Sequence, residues 1–188
     1  VAEHLPTLAV ISGPPGTGKT TLAHELARAL GCPAVCRDEI KEGMAHAIPG
    51  YRPRPGDEVS RRVLATFFAA LRMLLESGTT VVAEAAFQDR LWRPGLEPLT
   101  ALARMRVIRC TVSASIAEGR IVERAAAGTH RAAHDDDDLL RRLRDGSASL
   151  DAFNGISLGV PTLVVDTTRG YSPQIRDILA FVNGPAGP

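Results

Sequence analysis

Leu8-Ala9-Val10-Ile11-Ser12-Gly13-Pro14-Pro15-Gly16-Thr17-Gly18-Lys19-Thr20 is the stretch whose reading decides the fold. Leu8–Ile11 is a short apolar run suited to a buried strand. It leads into residues 13–20, which meet the spacing G-x-x-x-x-G-K-T in full. Thr21–Leu30 then follows a helical pattern, and Gly31 supplies the stop. Strand, glycine-rich loop and helix in this order make a phosphate loop. Glycines let backbone N–H groups curl around a polyphosphate, and the helix start adds partial positive charge. A glycine-rich turn that binds nothing is the bland alternative, but here the spacing and both flanks are complete. The pattern predicts a nucleoside triphosphate site formed by Gly13, Pro14, Pro15, Gly16, Thr17, Gly18, Lys19, Thr20 and Thr21. Lys19 is expected to reach the outer phosphates, and the Thr20 hydroxyl to hold Mg²⁺.

Apolar runs recur further along, at Ala34–Cys36, Thr80–Ala83, Val107–Val112 and Thr162–Val165, with helical patterns between them. Strands alternating with helices imply an α/β fold with a parallel sheet covered on both faces. Val59, Val63, Leu64, Phe67, Leu71, Leu74 and Leu75 share one helical face, and Gly78 ends that helix. Leu91–Met105, residues 114–127 with Ile116, Ile121 and Val122 inside, and Pro173–Val182 are further helical candidates. Pro49–Gly56 reads as a loop.

The 188 residues fit one domain, expected over 1–183 with a flexible tail at 184–188. Hydrophobic residues at 45% and charged residues at 23% are ordinary for a globular protein. A formal net charge of +1 gives no global pull towards nucleic acid or membrane, so any anion site is local. Cys32, Cys36 and Cys110 lack C-x-x-C spacing and suggest neither a disulfide framework nor a zinc site. No run reaches the length of a membrane span, and a cytoplasmic location without a stable protein partner is the expectation.

Open parallel sheets place their sites at the carboxyl ends of the strands. After the second strand comes Arg37-Asp38-Glu39-Ile40-Lys41. Asp38 there would accept a proton from an acceptor hydroxyl, or it merely caps the following helix. Arg37 and Lys41, one turn on, are candidates for holding the acceptor; a plain surface lysine is the alternative. After the third strand Glu84 takes the place of a carboxylate that steers Mg²⁺ through water. Gln88, Arg90 and Arg93 follow in a loop that either lines an acceptor pocket or is simply solvated. Beyond the fourth strand, Arg124 and Arg131 are candidates to stabilise a transferring phosphoryl group from a mobile lid, unless they are surface arginines paired with acids. His134 reads as a lid contact. Asp135–Asp138 suits the start of a helix Asp136–Arg144 better than a metal cluster, because Arg141, Arg142 and Arg144 complement its other end.

With these residues in place, the chain resembles the adenylate-kinase-like group of P-loop phosphotransferases, over Leu8 to about Asp166. The kinase domains of 5′-polynucleotide kinases and the chloramphenicol-phosphotransferase and zeta-toxin types are most similar. In polynucleotide kinases the second strand leads into Arg-Asp-Asp-x-Arg, whose first aspartate is the general base. Arg37-Asp38-Glu39-Ile40-Lys41 is similar, with Asp38 matching the base and Lys41 replacing the two-pronged arginine. Arg120 and Arg124, four apart, match the pre-lid helix of this group, whose second arginine contacts ATP phosphates. The resemblance implies a three-layer P-loop sandwich, a five-stranded parallel sheet in the order 2-3-1-4-5, and a small lid near 125–138. It also implies Mg-ATP-dependent transfer of the γ-phosphoryl group to a hydroxyl. The absence of an Asn-Lys-x-Asp motif argues against a GTPase switch, and the chain is expected to be too short for the helical domain of a ring ATPase. A 5′-hydroxyl nucleic-acid end ranks slightly ahead of a small-molecule hydroxyl as acceptor, on the strength of Lys41 and the nearby Arg52, Arg54, Arg90 and Arg93. A partner-driven ATPase is the reading from another class.

Overall fold

The computed structural model describes residues 5–54, 57–126, 136–145, 153 and 155–185, with side chains from Leu139 onward in the 136–145 stretch. Along the chain run β1 (Thr7–Ser12), α1 (Lys19–Leu30), β2 (Ala34–Cys36), α2 (Arg37–His46), α3 (Glu58–Glu76), β3 (Val81–Glu84) and α4 (Asp89–Leu96). A 3-10 turn (Glu97–Ala101), β4 (Arg104–Thr111), α5 (Ala114–Ala126), α6 (Asp136–Arg144), β5 (Thr162–Asp166) and α7 (Ile175–Asn183) complete the order. The five strands form one parallel sheet in the order β2-β3-β1-β4-β5, as the resemblance implies.

Side chains alternate across a strand, so each central strand feeds two cores. Leu8 and Val10 of β1 point into one with Phe67, Leu71 and Leu75 of α3 and Trp92 and Leu96 of α4. Ala9 and Ile11 point into the other with Leu22, Ala23 and Leu26 of α1 and Ile178 and Val182 of α7. Helix–sheet–helix layering follows directly. Phe67, Phe68, Phe87 and Trp92 meet edge-on or tilted, with ring centroids 4.8–6.1 Å apart.

Several sequence expectations need correction. Leu91–Met105 is not one helix: α4 contains Pro94, the 3-10 turn contains Pro98, and β4 begins at Arg104, so Met105 lies in a strand. Two prolines within five residues each remove a backbone donor, and pairing of Thr7 with Arg104 recruits the following residues to the sheet. On α5 it is Ala117 and Ile121 that are buried, while Val122 is exposed. The third strand starts at Val81 and ends on Glu84 itself, so this carboxylate belongs to the sheet rather than to the loop after it. Gly184, the first residue of the expected tail, accepts hydrogen bonds from Arg104 and Arg106 of β4.

Most of the expected lid lies outside the described residues, at 127–135; its far end coincides with the start of α6, which begins at Asp136 as expected. Among the described residues no helix is long and apolar enough to cross a membrane.

Candidate active site

The loop between β1 and α1 is shaped by its glycines. Gly18 caps α1 in the left-handed region at φ 73° and supplies no side-chain cap. The first N–H groups of a helix need partners, so α1 presents them to an anion. At Gly16, also at positive φ, a Cβ would come within 2.4 Å of the Ala117 carbonyl oxygen. Only a glycine lets the loop lie this close to α5.

Lys19 and Thr20 open α1 beneath the loop. Lys19 is 8% exposed; its Nζ donates to the Pro14 carbonyl at 3.3 Å and lies 3.7 Å from Glu84 Oε1. Thr20 Oγ1 donates to Glu84 Oε2 at 3.2 Å. The pairing of Ile11 with Glu84 in the sheet puts that carboxylate level with the end of β1. Burial pushes the Glu84 carboxyl above its usual range, and the Lys19 charge pulls it back. A hydroxyl and a carboxylate side by side are hard oxygen donors, the set that suits Mg²⁺.

Asp38 is reached by the shortest route available. β2 ends at Cys36 and α2 starts at Arg37, with no residue between. The N-cap of α2 is Cys36, whose side chain makes no capping hydrogen bond, and Asp38 stands inside the first turn rather than at the cap position. Its carboxylate accepts from Arg37 Nη1 at 3.0 Å instead. A cavity of about 500 Å³ joins Asp38 to the phosphate loop. Pro15, Gly16, Gly18, Lys19, Thr20 and Thr21 form one wall, and Asp38, Glu39 and Glu42 of α2 another. Ala86, Arg120, Arg124 and Leu139 close the remainder.

Not every anticipated residue lines this cavity. Arg120 does, yet its guanidinium is engaged in holding the loop: Nη2 donates to the Thr167 carbonyl at 2.7 Å and Nη1 to that of Gly16 at 3.4 Å. The Thr167 hydroxyl in turn donates to the Thr17 carbonyl at 2.7 Å. Arg124 stands one helical turn further along α5. Lys41 is buried and outside the lining; burial and the Arg37 charge lower its pKa, against the pull of Asp57, Asp38 and Glu42. Gln88, at the N-cap position of α4, and the exposed Arg90 lie outside it as well. Arg131 and His134 fall outside the described residues.

Glu42, Thr167 and Leu139 escaped the sequence reading. Glu42 had a signal: it stands four residues after Asp38, the spacing that shares a helical face. Thr167 had none, since it merely follows an edge strand.

An uncharacterized protein of Mycobacterium tuberculosis is 30% identical to this chain over 132 residues, 65% of this chain and 26% of the relative. The chain thus spans about a quarter of the length of the curated relatives it matches. A candidate kinase of Chloroflexus aurantiacus, 27% identical, superposes with a TM-score of 0.79 over 95% of this chain and 97% of its own. The APS kinase of Mycobacterium tuberculosis, solved with AMPPNP and APS, shares the fold at a TM-score of 0.63 and 15% identity, over 96% and 99% of the two chains. The model of the AAA domain family matches residues 8–145, from β1 through α6. The chain belongs to that family, and its fold is that of the adenylate-kinase-like P-loop phosphotransferases.

Proposed function

We propose that this protein is a kinase that transfers the γ-phosphoryl group of Mg-ATP to a hydroxyl of a small molecule. The observation that carries the reading is the cavity shared by Lys19, Thr20, Asp38 and Arg124. Asp38 takes the proton of the acceptor hydroxyl, the freed oxygen bonds to the γ-phosphorus, and the bond to the bridging oxygen breaks to release ADP. Lys19 and the first N–H groups of α1 hold the phosphates. Arg124, with Arg131 from a lid near 125–138, meets the charge that develops on the transferring group. Thr20, and Glu84 through water, hold Mg²⁺, which supplies charge neutralisation when bound. Residues 1–183 act in this reading as one kinase domain, in the cytoplasm and without a stable protein partner.

The α2 wall changes the order of the acceptors. Asp38, Glu39 and Glu42 face the cavity, while Lys41 is buried beside them. Three carboxylates repel a phosphate backbone, so a neutral or cationic hydroxyl compound now stands ahead of a 5′-hydroxyl nucleic-acid end. Gln88 and Arg90, with Arg37, remain the residues proposed to hold the acceptor at the outer edge.

The test offers γ-labelled ATP with 5′-hydroxyl RNA, 5′-hydroxyl DNA, nucleosides, sugars and amino-bearing antibiotics. Label on a small hydroxyl compound, insensitive to moderate salt, supports the proposal. Label confined to oligonucleotides, falling steeply with salt through counterion release, restores the polynucleotide reading. Free phosphate with no labelled acceptor favours a partner-driven ATPase.

A further inference from the structure

His24, Cys36 and Glu39 bring one nitrogen, one sulfur and one carboxylate oxygen within 4.8 Å of each other. They come from three elements: the outer face of α1, the end of β2 and the first turn of α2. His24 Nε2 lies 2.6 Å from Glu39 Oε1 and 3.8 Å from Cys36 Sγ. Neither His24 nor Cys36 has a role in the phosphoryl transfer described above, and Glu39 lines the edge of that cavity without a part in the chemical step. Buried Cys36 forms the floor, and exposed His24 and Glu39 form the rim. His24 also lines a depression along α1 with Thr20, Thr21, Glu25 and Arg28, which gives a hydrated ion access.

We propose that His24, Cys36 and Glu39 form a second metal site, selective for a borderline transition ion such as Zn²⁺ and separate from the Thr20–Glu84 site for Mg²⁺. The donor set decides the class: sulfur and imidazole select zinc-like ions, while hard Mg²⁺ prefers oxygen alone. Geometry agrees. With bonds of about 2.3 Å to sulfur and about 2.0 Å to nitrogen, two tetrahedral corners stand about 3.5 Å apart, close to the spacing found. Glu39 needs only to trade its hydrogen bond with His24 for a bond to the metal. On binding, the Cys36 thiol gives its proton to solvent and His24 donates the Nε2 lone pair, keeping its proton on Nδ1. A thiolate and a carboxylate then balance the dication, and water takes the fourth position. Burial, and then the charges of Glu84 and Glu39, hold the Cys36 thiol well above its usual range, so it gives up its proton only as the metal binds. The bound ion staples α1 to the start of α2.

Co²⁺ is the probe, because a thiolate ligand gives it a near-ultraviolet charge-transfer band. The titration is run on the full chain with excess Mg²⁺ and ADP, which fill the Thr20–Glu84 site. One Co²⁺ per chain with that band, displaced by Zn²⁺, is expected, together with a rise in Tm on adding Zn²⁺. Cys36→Ser should abolish the band and Cys32→Ser should leave it. Loss of an outer-shell partner alone weakens metal binding about 10–100-fold, so His24→Ala should weaken it by at least that much. Absence of the band, its survival in Cys36→Ser, or wild-type affinity in His24→Ala would overturn the site. Because His24 is exposed, its alanine variant decides the matter even if Cys36→Ser fails to fold.

Discussion

The ammonium of Lys19 faces the carboxylate of Glu84 at 3.7 Å, with 9% and 2% of the two side chains exposed. Burial alone would favour the neutral acid, and the Lys19 charge, followed by the Thr20 hydrogen bond, opposes that tendency. Lys19→Met should end ATP turnover and push the Glu84 carboxyl higher still. A carboxyl raised in the folded state binds its proton more tightly there than in the unfolded chain. Both proteins lose stability as pH rises past the ordinary glutamate value, and the gap between them should open once pH passes the raised value that Glu84 already has in the wild type. Melting curves across pH check this; a Tm gap independent of pH would mean the two groups are not coupled.

Asp38→Asn keeps the shape of α2 and removes the proposed base. Phosphoryl transfer should fall by roughly two to four orders of magnitude with ATP affinity nearly unchanged. The variant also gives up the charge of the Arg37–Asp38 pair and the charge–dipole attraction at the start of α2, the latter about 0.3–1 kcal/mol. Full activity in the Asp38→Asn variant, measured against the same acceptor, would remove Asp38 from the reaction.

Arg120 and Arg124 should separate in experiment although they lie four residues apart. Arg120 ties the loop to the segment after β5, and hydrogen bonds of charged donors contribute about 1.5–3 kcal/mol. Arg120→Ala should thus lower both Tm and ATP affinity. Arg124→Ala should lower the rate at saturating ATP more than it weakens ATP binding, since charge builds on the transferring group in the transition state. Arg131→Ala belongs with Arg124 in this comparison. An Arg124→Ala variant that loses ATP affinity as Arg120→Ala does, with its maximal rate unchanged, would contradict the distinction.

Asp57 caps α3, accepting from Ser60 N at 2.7 Å, Tyr51 OH at 2.5 Å and Arg54 N at 3.2 Å. Burial would raise its pKa, but these donors together hold the carboxyl well below its usual range. A depressed carboxyl stabilises the fold above its unfolded pKa and loses that effect as pH falls through the folded value. Asp57→Ala should cost about 0.5–2 kcal/mol at neutral pH, and the gap to wild type should close in strong acid. Urea unfolding at both pH values measures it.

The phosphate loop, the sheet order and the existence of all five strands were legible because each rests on local pattern or family resemblance. Boundaries were less so. Thr7 and Ser12 join β1 through pairing with Arg104 and Arg109, a partnership between distant segments that no local run discloses. Arg104-Met105-Arg106-Val107 alternates like a strand, but the leucines before it blur the change of period. At the site, Lys41 and Glu42 are adjacent in sequence, yet the lysine is buried and the glutamate faces the cavity, a difference that only the assembled fold makes. The function of Thr167 depends on a hydrogen bond spanning 150 positions, so it could not be foreseen.

The direct passage from β2 into α2 also bears on how such a scaffold diversifies. Since Asp38 hangs from the sheet without an intervening loop, its distance to Lys19 is set by strand pairing and not by the segment between α2 and α3. The segment between α2 and the Asp57 cap of α3 can then be exchanged as a cassette while the proposed proton acceptor stays put. Descendants of one ancestral scaffold could diverge in what they modify by rewriting that cassette, leaving the inherited chemistry intact.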